Sequence, residues 1–137
     1  MKIPKEARNL VEKQPLLYLA TVDPAGWPNV VPMLQYWWYS ETVLVVGDVF
    51  MRQTIVNVKA TGLTSFSLTN PEGTVSYKFK GHASYRTKGP EYEFANDSWH
   101  EKNPGKDFKG CVVIEVVAVY EAKRGKTAGD LLAGEQV

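Results

Sequence analysis

Val75-Ser76-Tyr77-Lys78-Phe79-Lys80-Gly81-His82-Ala83-Ser84-Tyr85 alternates apolar and polar side chains, the two-residue period of a β-strand with one face buried. The run is long for a strand, and Gly81 in its interior marks a bend of the kind a sheet needs to curl into a barrel. Upstream, Leu63 to Leu68 also alternates, and Asn70-Pro71-Glu72-Gly73 supplies the turn between the two runs. Downstream, Gly89-Pro90 opens a helix through Tyr92, Ala95 and Trp99, and Asn103-Pro104-Gly105 ends it. Cys111 to Val119 then reads as a last strand, apolar enough to be covered on both faces.

The N-terminal half repeats this grammar. Pro4 suits a helix start, and Ala7, Leu10 and Val11 recur at helical spacing until Pro15. Leu17 to Val22 and Val30 to Tyr39 are strands around the turn Asp23-Pro24-Ala25-Gly26, and Pro32 implies that the second is interrupted, bulged or at a sheet edge there. Thr42 to Val46 is a third strand that runs through Gly47-Asp48 into a short helix bearing Met51, Ile55 and Val58 on one face. Six or seven strands, joined by hairpins and not by regular crossover helices, with two or three short helices, predict a mainly β antiparallel barrel. Residues 1–137 read as a single domain, and residues 121–137, which lack a clear period, read as a C-terminal arm.

Composition narrows the function. Sixteen Lys and Arg against fifteen Asp and Glu give a net charge of +1 without a block of like charges, so no nucleic-acid partner is expected. No apolar run reaches the roughly 18 residues of a membrane span, and no signal core follows Met1. The lone Cys111 sits in an apolar run as a core residue, and a chain with one cysteine forms no internal disulfide; both fit a cytoplasmic protein. His82 and His100 lack a third ligand at metal spacing, so no metal site is expected. Gly125-Lys126-Thr127 lacks the first glycine of a P-loop, because position 120 is Tyr120, and neither a dinucleotide fingerprint nor a nucleophile elbow is present.

Two segments carry chemistry. From Val46 to Val58 a strand ends, the chain turns, and Arg52, Gln53 and Thr54 fall in the first turn of a helix. Free N–H groups, a guanidinium and a hydroxyl there make a phosphate seat. Taken alone, the same residues read sooner as a solvated surface charge and a minor cap. Around Pro32, Met33, Leu34, Gln35 and Tyr36, an irregular strand offers an apolar slot with backbone donors and acceptors for a planar ring, or else only a bulge with Gln35 facing solvent. Trp37 and Trp38 point to opposite faces of their strand, so both cannot enter one core. With aromatic residues at 12% of the chain, a dimer interface is expected.

In order, Leu19-Ala20-Thr21-Val22, the Asp23 to Gly26 turn, Pro28-Asn29-Val30-Val31-Pro32-Met33, Val46-Gly47-Asp48, Thr54 with Asn57, and Lys80-Gly81-His82-Ala83 resemble the FMN-binding split-barrel family related to pyridoxamine 5′-phosphate oxidase. The resemblance covers residues 5 to 120 and is closest to the family's small FMN-binding proteins. It implies a six-stranded antiparallel split β-barrel, a homodimer and non-covalent FMN at the subunit interface. Pro32 to Tyr36 would meet the flavin ring, Asp48, Val49 and Phe50 would line the turn beside it, and Arg52, Gln53 and Thr54 would hold the phosphate. The family often carries lysine where this chain has Gln53, and the Arg- and Trp-rich C-terminal segment of true pyridoxamine phosphate oxidases is missing after Val119. The implied function is an oxidoreductase that passes electrons or hydride through FMN from a nicotinamide nucleotide or a protein donor, with no catalytic side chain evident. The alternatives are a non-enzymatic electron carrier or flavin store, or a barrel that binds haem or a deazaflavin.

Overall fold

The computed structural model describes residues 1–137 as a curled antiparallel sheet with three helices. The strands are β1 (Leu17–Val22), β2 (Pro28–Met33), β3 (Tyr36–Trp38), β4 (Val43–Gly47), β5 (Leu63–Thr69), β6 (Ser76–Arg86), β7 (Cys111–Glu121) and β8 (Leu131–Gly134). The helices are α1 (Lys5–Lys13), α2 (Gln53–Ala60) and α3 (Pro90–His100). The hydrogen-bonded order is β2-β1-β5-β6-β7-β4-β3, with β8 also on β7. Its two edge strands, β2 and β3, are consecutive in the chain and joined only by Leu34-Gln35. A link that short spans about 11 Å at most, so the ends of the sheet must meet and the sheet must close on itself.

The six expected strands become eight for two reasons. The run from Val30 to Tyr39 divides at Leu34-Gln35, and the C-terminal segment, expected as an arm without period, lays β8 against its own chain's β7. The division does not fall at Pro32. That residue pairs with Tyr18 inside β2, whose edge position tolerates a missing N–H. The bend expected at Gly81 is a β-bulge in the β6/β7 ladder between Lys80 and Gly81. Only glycine fits there, because a Cβ at position 81 would lie 2.4 Å from the Glu115 carbonyl oxygen.

The barrel interior holds Leu17, Leu19, Leu44, Val46, Phe66, Phe79, Val112 and Ile114, with Phe66 and Phe79 stacked at 4.5 Å. Helix α1 plugs one end with Ala7, Leu10 and Val11, and Gln14 takes the extended backbone that a following proline requires. Arg8 clamps the plug: its guanidinium lies over the Trp38 ring and donates to the Glu41 carbonyl at 2.6 Å. A second, smaller core joins Val45, Ala95, Phe108 and Cys111 beneath α3, outside the barrel wall. This explains why β4 and β7 are apolar on both faces. It also separates the two tryptophans: Trp38 packs edge-on to Phe79 inside, and Trp37 lies against Phe108 outside. Burial pushes the Cys111 thiol up to about 11.

Three tyrosines tie stability to alkaline pH. Burial pushes the phenols of Tyr36 and Tyr77 up to about 12, and raises that of Tyr85 further, with Asp48 adding to the effect. The unfolded chain loses these protons near pH 10, before the folded one does. Their contribution is therefore complete below pH 10 and lost as pH rises toward 12 and beyond. Denaturant titrations are expected to show stability falling over that window. The fall should be shallower in Tyr36→Phe than in the parent, and equal slopes would contradict the assignment.

Candidate functional site

A cavity of about 580 Å³ opens where the β2–β3 link faces the segment from Gly47 to Thr54, within the size range of small-molecule sites. It is lined by Asn29, Val31 and Met33 from one face of β2, by Pro32, Leu34 and Gln35, by Gly47, Val49, Phe50, Met51, Arg52, Gln53 and Thr54, and by Trp99 of α3.

The Gly47-to-Thr54 segment is held from behind. Asp48 is buried, and its carboxylate accepts the Met51 N–H at 2.8 Å and the Tyr85 hydroxyl at 2.5 Å. Its backbone bonds both Gly110 and Lys109. Gly110 leaves the room this needs, since a Cβ there would sit 2.4 Å from the Tyr85 hydroxyl oxygen. Asn57 pins α2 to the barrel by donating to Thr21 Oγ1 at 3.0 Å, and it accepts the Gln53 amide at 2.7 Å.

The start of α2 is consequently rigid and unsatisfied. The N–H groups of Arg52, Gln53 and Thr54 have no backbone partner, and no acidic side chain lies in the first turn. Thr54 is only 2% exposed, and its hydroxyl has no partner in the chain. Every fully buried polar side-chain atom is bonded, so the Thr54 hydroxyl is the part left open, toward the cavity it lines. Arg52 is exposed and forms no ion pair; the two salt bridges are His100–Asp107 and Lys123–Glu121. Backbone donors, a hydroxyl and an unpaired guanidinium at one helix start suit a phosphate.

Most of the residues expected at the site meet here: Pro32, Met33, Leu34, Gln35, Val49, Phe50, Arg52, Gln53 and Thr54. Two do not line the cavity. The Tyr36 hydroxyl turns away and donates to the Gln14 carbonyl, and Asp48 is a brace behind the turn, with both carboxylate oxygens engaged. Gln53 turns its amide onto Asn57, which leaves Arg52 as the only charged side chain lining the cavity.

Asn29, Val31, Gly47, Met51 and Trp99 were not expected. The period-two spacing of Asn29 and Val31 with Met33 is a signal the sequence does carry. Trp99 carries none. It reaches the cavity because Phe108 packs at 4.8 Å from its ring and directly on Gly47, where a Cβ would meet the Phe108 ring at 2.3 Å.

The sequence profile described as pyridoxamine 5′-phosphate oxidase matches residues 3–133, and the chain belongs to that family. Among solved structures it is similar to HupZ of Group A Streptococcus, at 27% identity and a TM-score of 0.80 over 93% of this chain and 99% of that one. It is similar to an FMN-binding protein of Syntrophomonas wolfei subsp. wolfei, at 18% identity and a TM-score of 0.74 over 89% and 87% of the two chains. At that identity the likeness shows the fold alone. It is also similar to a protein named F420 reductase, at 25% identity and a TM-score of 0.65 over 85% and 98%. The fold is the split barrel of this family.

Proposed function

We propose that the chain is an FMN-binding flavoprotein that acts as an oxidoreductase and works as a homodimer. One observation carries the reading: an anion seat on a braced helix start opens into an apolar cavity of about 580 Å³, so a planar ring and a phosphate can be bound together. Arg52 and the N–H groups of Arg52, Gln53 and Thr54 would hold the phosphate, with the Thr54 hydroxyl as a further donor. Pro32 to Gln35, Val49 and Trp99 would flank the ring, and the link between β2 and β3 would present backbone groups to its polar edge. Bound FMN would supply hydride or electron acceptance and return. The chain's own residues orient the ring and exclude water, and none is placed as a general acid or base.

The homodimer rests on what the single chain leaves uncovered. Phe50 is 88% exposed and Leu34 is 64% exposed, and both line the cavity. A second copy laid on those residues would cover the cavity mouth. No helix is long and apolar enough to cross a membrane. The buried, unpaired Cys111 is compatible with a reducing cytoplasm.

A deazaflavin in place of FMN is the second reading, favoured by the likeness to the F420 reductase and by Gln53 standing where the family often has lysine. Mass and absorbance of the extracted chromophore separate the two. Anaerobic mixing with NADH or NADPH then tests the enzyme. Bleaching of the flavin band, reversed by air, is expected for an oxidoreductase fed by a nicotinamide, whereas a flavin store would leave the band unchanged.

A further inference from the structure

A second cavity, of about 590 Å³, lies beside the first and shares Leu34, Gln35 and Trp99 with it. We infer that it binds a planar heteroaromatic molecule bearing a carboxamide or lactam edge, the substrate or electron partner of the proposed cofactor. That role rests on the FMN reading; binding itself needs only the residues of this chain.

The walls are aromatic and fixed. Trp37 from β3 and Trp99 from α3 both face the cavity, and both pack on Phe108, at centroid distances of 6.1 and 4.8 Å. Phe108 is buried against Gly47, so neither indole can retreat far. Two indoles held in place at one cavity favour a flat ring.

The polar groups select the edge. Gln14 and Gln35 both line the cavity, and neither side-chain amide has a partner within the chain. Their backbones are anchored nonetheless: the Gln14 N–H donates to Leu10 and its carbonyl accepts the Tyr36 hydroxyl, while the Gln35 carbonyl accepts the Gly47 N–H. A carboxamide offers a donor and an acceptor side by side, and its complement is another amide-like edge. The charges around the rim balance, Glu12 and Glu101 against Lys13 and Lys102, which favours a ring without strong net charge. Gln35 and Trp99 face both cavities, so an occupant of the second would lie next to the flavin ring.

Nicotinamide is the probe, titrated into flavin-loaded and flavin-free protein while the four indole N–H resonances are followed by NMR. Saturable shifts of Trp37 and Trp99 are expected, with the exposed Trp27 unmoved. Gln14→Ala should weaken nicotinamide binding about fivefold, the effect of one lost hydrogen bond, without altering flavin content. Absence of saturable shifts, equal movement of Trp27, or unchanged affinity in Gln14→Ala would overturn the inference. Flavin-loaded protein that ignores nicotinamide refutes this site alone, whereas protein that takes nicotinamide but no flavin refutes the cofactor reading alone.

Discussion

Replacing Arg52 by alanine is expected to weaken FMN binding by about 1.5–3 kcal/mol, roughly 10- to 150-fold, the range for a hydrogen bond to a charged group. The effect falls on one residue because Gln53, the other long polar side chain of the seat, is bonded to Asn57 and carries no charge. Arg52 has no carboxylate partner, so its removal leaves no group of the chain unpaired and folding stability should change little. Riboflavin, which lacks the phosphate, is the control. Its affinity should be the same in the parent and the variant, measured by quenching of flavin fluorescence. Equal loss for both ligands would mean that Arg52 touches the ring, and no loss for either would move the phosphate elsewhere.

The second large effect concerns the barrel. Gly81→Val is expected to cost about 3 kcal/mol, seen as a fall in midpoint temperature of about 10 °C. A Cβ at position 81 would lie 2.4 Å from the Glu115 oxygen, 3.1 Å from its carbonyl carbon and 2.9 Å from the Ile114 side chain. Two of these are backbone atoms of β7, so relief requires the β6/β7 ladder to move. The bulge at this point turns β6 from its pairing with Val116 and Glu115 to its pairing with Ala118 and Val119. An unchanged melting temperature would show that the bend does not depend on glycine.

The same bulge shows how much of the fold the sequence reveals. An alternating run and a glycine within it are both local signals, so the bent strand is legible in the sequence. The strand-to-helix turn at Gly47-Asp48 was readable for the same reason. What lay beyond reach is what the chain builds from distant parts. Pro32 looks like the break in its strand, yet an edge strand tolerates it, and the break falls at Leu34-Gln35 where the sheet must close. Asp48 looks like a ligand residue at a turn, and only the arrival of Tyr85 from β6 makes it a brace. Trp99 reaches the cavity through Phe108 and Gly47, a contact that no spacing encodes. The short β8 gave no period because its residues are mostly exposed.

The helix start at Arg52 and Thr54 is where sequence and structure differ most in what they say. Arg52 and Thr54 form a pattern that many helix starts share. A nearly enclosed threonine with an open hydroxyl, on a turn braced by Asp48 and a helix pinned by Asn57, is much rarer, and it faces a cavity large enough for a ring.

Chromophore content of the purified chain decides whether it is a flavoprotein. Protein reconstituted with FMN, freed of excess ligand and measured for absorbance and mass should be yellow, carry one FMN per chain and run as a dimer. A colourless protein that fails to retain added FMN, or one that holds haem in its place, is not the flavoprotein proposed.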